Sequence, residues 1–254
     1  MDAQPKPAFQ VRLAETEEDL RAAQRLRYAV FVEELGGSGG LVDHENRLEK
    51  DRFDPFFDHM LLWDTARGAV VGAYRVMRDD QAEAAGQFYS ADEYDLSVLQ
   101  GSGRRLLELG RSCLHPDYRG SSALFHLWTG LADYIRVHEI EILFGVASFH
   151  GTDVAALAEP LSLLHHRHLA PADLRVRAQA EAFQPMDLID TSVLDTKRAM
   201  LAVPALIKAY LRLGGFVGEG AYVDRAFNTT DVCLVLDTER MNARQARLYQ
   251  GGAA

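Results

Sequence analysis

Cysteine is scarce in this chain: Cys113 and Cys233 are the two in 254 residues. Both lie in apolar runs and read as reduced, buried thiols, which excludes a disulfide framework. No apolar stretch is long enough to span a bilayer. The first residues, Met1 to Pro7, have no apolar signal core. Positive charge is in deficit, with 27 Lys and Arg against 37 Asp and Glu and a net charge of -10. A duplex-binding surface needs the opposite balance, so nucleic acid is a poor partner. Internal repeats are absent too. What is there, 48% hydrophobic residues, suffices for one sizeable core. These features predict a cytoplasmic protein with one domain over residues 10–240 and tails at 1–9 and 241–254.

Periodicity and punctuation give the order of elements. Thr16 reads as an N-cap before an acidic first turn, and Leu20, Ala23, Leu26 and Val30 repeat at helical spacing. That helix should stop at the glycines from Gly36 to Gly40. An acidic, aromatic loop from Asp43 to Asp58 follows, then strands near His59 to Trp63 and Ala69 to Arg78. Leu106 to Leu114 reads as a strand and His115 to Gly120 as a turn into a helix reaching about His138. A strand from Glu141 to Phe149 and a helix from Asp153 follow. Pro204 opens a short helix ending at Gly214-Gly215. Strands near Phe216 to Val223 and Asp231 to Leu236 close the chain. Residues 79–103 and 170–200 carry weak signals. The fold class is α/β, a mixed central sheet with helices on both faces.

The strand Leu106 to Leu114 carries two charges, Glu108 and Arg111. Charge inside a central strand is costly unless it is paired or used. Strict alternation sends residues three apart to opposite faces, and a bulge at Gly110 would bring both to one side. The pair either holds the sheet together or does chemistry. The strand ends in an arginine–glycine turn whose backbone N–H groups would face an anion. The acidic loop, folded over a pocket, would suit a cationic amino acid, with Arg27 or Arg75 forking onto its carboxylate.

The run Leu106 to Gly120 resembles the strand–loop–helix of GNAT acyltransferases, where the turn holds the phosphate of an acyl thioester. Here the loop is Arg119-Gly120-Ser121-Ser122-Ala123, with few glycines, which suits a carrier-protein phosphopantetheine better than coenzyme A pyrophosphate. Leu26-Arg27-Tyr28-Ala29-Val30-Phe31, Glu49 to Asp54, Gly72-Ala73-Tyr74-Arg75 and Glu108 with Arg111 look like the pattern of acyl-homoserine-lactone synthases, without their tryptophan after the arginine–phenylalanine helix. The chain is similar, over residues 10–240, to the ornithine N-acyltransferases of ornithine-lipid synthesis. Leu109-Gly110-Arg111-Ser112-Cys113, Phe149-His150-Gly151-Thr152-Asp153 and Phe227-Asn228-Thr229-Thr230-Asp231 carry that resemblance.

The resemblance implies transfer of a 3-hydroxyacyl group from acyl carrier protein to the α-amine of L-ornithine, giving lyso-ornithine lipid. Catalysis would rest on Glu108 as general base with Arg111, and Glu49, Asp51 and His59 are rival bases. Arg27, Phe31, Asp51, Asp54 and Arg75 would bind the amino acid. Ser112, Arg119, Gly120, Ser121 and Ser122 would hold the phosphopantetheine thioester. The acidic carrier would dock on Arg104, Arg105, Lys208 and Arg212. No resident cofactor is expected and no metal, because His165, His166 and His168 on one helix place three ligands poorly. An amphiphilic product implies brief contact with the inner membrane surface. The helix bearing Leu206, Ile207, Tyr210 and Leu211 could provide it, but packing of that stripe on the core is the better reading. Three alternatives stay open: another acceptor such as lysine, glycine or glutamine; homoserine-lactone synthesis; and a non-catalytic thioester-binding module.

Overall fold

The computed structural model describes residues 7–39 and 41–241. Residues 1–6 and 242–254 of the expected tails lie outside the described residues, as does Gly40 of the glycine loop. In chain order the elements are β1 (Phe9–Leu13), α1 (Glu17–Arg27), β2 (Asp58–Asp64), β3 (Ala69–Arg78), α2 (Asp79–Ala85), β4 (Tyr94–Asp95), α3 (Ser97–Gln100), β5 (Leu106–Leu114), α4 (Ala123–Val137), β6 (Ile142–His150), α5 (Ala158–His168), β7 (Arg177–Ala178), β8 (Phe183–Gln184), α6 (Thr196–Ala202), α7 (Ala205–Arg212), β9 (Phe216–Val217), β10 (Ala221–Asp224) and β11 (Thr229–Asp237). Two compact units alternate along the chain. The first takes the described residues up to Met77 and then Leu109–Glu139, and the second takes Arg78–Glu108 and the described residues from Ile140 on.

The first unit is built on strands in the order β1, β2, β3, β5. β1 and β2 are antiparallel, as are β2 and β3, with Leu61 opposite Ala73 and Leu62 opposite Gly72. Alternation sends neighbouring side chains to opposite faces. On one face Leu61, Ala73 and Cys113 pack with Ala23, Leu26 and Val30. This is the apolar stripe read from the helical spacing. Thr16 caps α1 as expected: its hydroxyl accepts the Asp19 N–H, and the Asp19 carboxylate accepts the Thr16 N–H. On the other face lies α4, brought close by two glycines. A Cβ on Gly72 would come within 2.9 Å of Leu127 Cδ1, and one on Gly130 within 2.4 Å of Val11 Cγ1. Gly130→Val should therefore lower stability by about 1–3 kcal/mol, the usual cost of overpacking. Urea unfolding checks this, and an unchanged midpoint would contradict the close approach.

Phe9, expected in a tail, instead opens β1 and pairs with Asp64. The strand's five residues are half-buried or exposed, too short and too weakly patterned to declare themselves.

In the second unit the start of β5, Leu106 to Glu108, runs parallel to Ile142 to Phe144 of β6. β6 pairs antiparallel with β11 along its whole length, and β10 and then β8 extend the sheet. The sheet is thus mixed, as expected. The single strand expected over Phe216 to Val223 is two short ones. Gly218 lies against Val176, where a Cβ would sit 2.7 Å from a Val176 methyl, and Gly220 turns the chain at φ +77°. Ile207 and Tyr210 of α7 are buried, so this stripe packs on the core. No helix among the described residues is long and apolar enough to cross a membrane.

Candidate active site

Sheet register decides which charges meet in the first unit. His59 opposes Arg75 across β2 and β3, two residues along from Leu61 and Ala73. Both side chains therefore share the face covered by α1. Arg27 is the last residue of α1, where the helix widens into a π-helical turn over Tyr28–Glu34. Such turns are rare and are common at functional sites. Arg111 has φ +51°, a conformation uncommon for a side-chain-bearing residue. The irregularity expected at Gly110 is thus carried by the arginine next to it.

Three arginines and three carboxylates close into a ring of alternating charge. Arg27 Nε donates to Glu49 Oε2 at 2.5 Å and Arg27 Nη1 to Asp54 Oδ1 at 2.8 Å. Arg75 Nη1 donates to the same Asp54 oxygen at 2.7 Å, and Arg75 Nη2 lies 2.7 Å from Asp51 Oδ2. Arg111 completes the circuit with Nε 3.0 Å from Glu49 Oε1 and Nη2 3.4 Å from Asp51 Oδ2. Arg27 and Arg75 are each 1% exposed. The Arg111 and Asp51 side chains are 18% and 19% exposed and form the accessible rim. Burial of so much charge is tolerable only because each group has an opposite partner. Gln24 Nε2 donates to Asp54 Oδ2 at 2.9 Å, and the Arg75 guanidinium lies over the Phe57 ring at 4.2 Å. The sequence reading missed both. Gln24 was findable, since it stands one helical turn before Arg27.

Burial pushes the Asp51 carboxyl upward, but Arg75 and then Arg111 and Arg27 outweigh it and hold it well below the usual carboxylate range. Asp54 is held low in the same way by Arg27 and Arg75. Both are therefore weak bases. Burial lowers His59 below its ordinary 6.5, more than Asp54 raises it. Its Nε2 lies 3.0 Å from the Asp54 carbonyl oxygen. A neutral ring that donates there leaves Nδ1 without a proton.

These shifts set a pH profile. The unfolded chain protonates His59 before the folded one does, so stability is full above about 6.5 and falls as pH drops through that value. The Asp51 and Asp54 contribution is present above their ordinary 3.8 and is lost as pH falls below it. Urea midpoints from pH 8 to pH 3 should fall in two stages, and His59→Gln should remove the first. An unchanged first stage in that variant would contradict the assignment.

Phe31 is half-buried against the core cluster beside Leu26 and Val30. Ser112 is half-buried on β5, and Gly120 turns the chain at φ +75° ahead of α4. Ser121 Oγ donates to the Tyr118 carbonyl and accepts the Ala123 N–H, and Ser122 precedes the first turn of α4. Arg119 forks onto Glu34 at 2.6 and 2.7 Å, so a phosphate would compete with that carboxylate. In the second unit Glu108 is 1% exposed, and its two oxygens accept the N–H groups of Tyr89 and Ser90 at 2.7 and 2.6 Å. Arg104 forks onto Asp237, and the Arg105 N–H donates to Glu141. Lys208 Nζ donates to the Leu201 carbonyl, and Arg212 is exposed at the end of α7.

Cys113 is no nucleophile. It is 6% exposed, and burial pushes its thiol up to about 12, so almost none is thiolate near neutral pH. Cys113→Ala should keep near-normal turnover, and the native protein should resist iodoacetamide at this position. A dead but folded variant would contradict this.

Residues 26–129 match the acetyltransferase (GNAT) domain model. Over 92% of its length the chain superposes, with a TM-score of 0.53 and 13% identity, on 94% of an N-acyl amino acid synthase from uncultured soil microbes. A coenzyme A-dependent acyl-homoserine lactone synthase gives a TM-score of 0.54 at 15% identity, covering 96% of this chain and 97% of that one. The fold is therefore that of the GNAT class. An L-ornithine N(alpha)-acyltransferase from Rhodobacter capsulatus is 60% identical over 95% of each chain. The chain belongs to the family of L-ornithine N(alpha)-acyltransferases.

Proposed function

We propose that this protein moves a 3-hydroxyacyl group from an acyl carrier protein thioester to the α-amine of L-ornithine, giving lyso-ornithine lipid. The observation that carries the acceptor is chain-wide identity of 60% to a relative named for ornithine. The charged ring supports it. Asp51 at the rim is an ionised carboxylate suited to a side-chain ammonium, and Arg111 beside it suits the substrate carboxylate.

Amide formation needs a deprotonated amine, a polarised carbonyl and a departing thiolate. Asp51 and Asp54 are poor bases, as their arginine partners dictate. We assign proton removal to Glu108, three residues before Arg111 in the chain. Each of its oxygens accepts one backbone amide N–H, which fixes the carboxylate in place on β5. The amine nitrogen then bonds to the thioester carbon, the carbon–sulfur bond breaks, and the thiolate leaves with the carrier. Nothing in this sequence needs a covalent acyl-enzyme, so catalysis rests on positioning and desolvation. The N-terminal turn of α4, behind Gly120, Ser121 and Ser122, is the proposed seat of the phosphopantetheine phosphate.

The donor is a carrier protein in this reading, and the sparse glycines of the 119–123 turn favour its single phosphate. The fold relative that uses coenzyme A keeps that donor as the alternative. A steady-state assay with matched 3-hydroxyacyl chains on carrier protein and on coenzyme A, against a panel of amino acids, tests both halves. The reading expects the highest kcat/KM for carrier protein with L-ornithine. Preference for lysine, glycine or glutamine would move the acceptor, and preference for coenzyme A would move the donor.

A further inference from the structure

The last turn of α5 holds a cluster unconnected with the charged ring. His166 Nε2 lies 3.0 Å from the Ile189 carbonyl oxygen and 3.2 Å from Asp187 Oδ1. An imidazole nitrogen carries at most one proton, and one N–H cannot fully serve two oxygens. A cation in the proton's place can. His165 adds a second imidazole, its ring 5.3 Å from that of His166 and turned by 83°. One ligand atom from each of His165, His166 and Asp187 lies within 4.8 Å of the other two.

Ligand atoms around a tetrahedral zinc, each about 2.0 Å from the metal, are about 3.3 Å apart. His166 Nε2 and Asp187 Oδ1 already have that spacing, and His165 can close by rotating its side chain. The oxygens are set without an ion. Ser162 is fully buried, and its hydroxyl accepts the N–H groups of Leu188 and Ile189 at 3.1 and 3.0 Å. Partial negative charge at the end of α5 favours a cation. Helical spacing places His165, His166 and His168 poorly as three ligands. The third ligand here comes instead from the loop after β8.

We propose that His165, His166 and Asp187 form a binding site for a zinc-like divalent cation that clamps the Asp187–Asp190 loop to α5. Two imidazoles, one carboxylate and a fourth oxygen, from the Ile189 carbonyl or a water, suit zinc. Binding releases the Nε2 proton of His166 to solvent and forms the metal–nitrogen bond in its place. None of the three residues belongs to the acyl-transfer machinery, so the proposal stands apart from the proposed reaction.

The test uses the tag-free, chelator-stripped full chain titrated with Zn²⁺ by calorimetry. One equivalent should bind with micromolar or tighter affinity, and saturating zinc should raise the thermal midpoint by several degrees. Co²⁺ should give the visible absorption of a four-coordinate site. Asp187→Asn and His165→Ala should each weaken binding at least tenfold and erase the midpoint rise, with unchanged circular dichroism without metal. Two results would overturn the site: no saturable binding tighter than about 100 µM, or wild-type binding by Asp187→Asn.

Discussion

Arg27→Met is expected to lower stability by about 3–5 kcal/mol, the usual cost of removing one partner from a buried ion pair, and to abolish acyl transfer. The guanidinium is 1% exposed and bonds both Glu49 and Asp54. Methionine fills a similar volume but leaves Glu49 to Arg111 alone and Asp54 to Arg75 and Gln24. Two carboxylates then sit in an apolar interior with one cation fewer, and the rim pair of Arg111 and Asp51 loses its support. Arg27→Lys should recover part of the stability, since a single ammonium cannot bond both acids in the fork geometry. Urea unfolding and single-turnover assays check both readouts. A methionine variant within 1 kcal/mol of the parent would show that the ring contributes little to the fold.

The second large effect separates the two glutamates. Glu108→Gln should cut kcat by about 100- to 10,000-fold, the range for loss of a general base, with little change in KM for ornithine. Its amide nitrogen would also face one of two N–H donors, from Tyr89 or Ser90, so a modest loss of stability accompanies it. Glu49→Gln breaks the ring between Arg27 and Arg111. It should raise KM for the amino acid and lower stability, with a smaller effect on kcat. The reverse split, kcat lost at Glu49 and KM at Glu108, would transfer the base role to Glu49. Comparing the two variants at saturating substrate keeps binding and chemistry apart.

Most of the fold was legible because its signals are local. Thr16 with Asp19 marks a helix start by hydrogen bonding within four residues, and Leu26 and Val30 mark its buried face by spacing alone. Pro204 and Gly214 bracket α7 in the same way. What was not legible depends on partners far along the chain. Phe9 becomes a strand because Asp64 pairs with it. Gly218 stands between β9 and β10 with Val176 against it, a contact set by a residue about forty positions away.

The candidate site shows the same division. Arg27, Glu49, Asp51, Asp54, Arg75 and Arg111 could all be named from motifs, as charges that a fold would have to use. Their closure into a ring could not, since it depends on the register that sets His59 opposite Arg75 and on a π-helical turn after Arg27. The charge of the acidic loop was read collectively, yet its members have separate tasks. Asp58 accepts the Tyr134 hydroxyl at 2.6 Å, Asp43 bonds Asn46 and Lys50, and Glu49, Asp51 and Asp54 enter the ring. The basic residues expected to dock the carrier follow from charge and, for Lys208 and Arg212, from helical spacing. Arg104 is committed to Asp237, a long-range pairing that sequence spacing could not disclose.

The most direct measurement is tandem mass spectrometry of the product formed from 3-hydroxyacyl carrier protein and L-ornithine, with the nitrogen that carries the acyl group identified by fragmentation. An α-amide should accumulate over many turnovers, with the δ-amine free. A δ-amide, or no amide while the thioester donor stays intact, would contradict it.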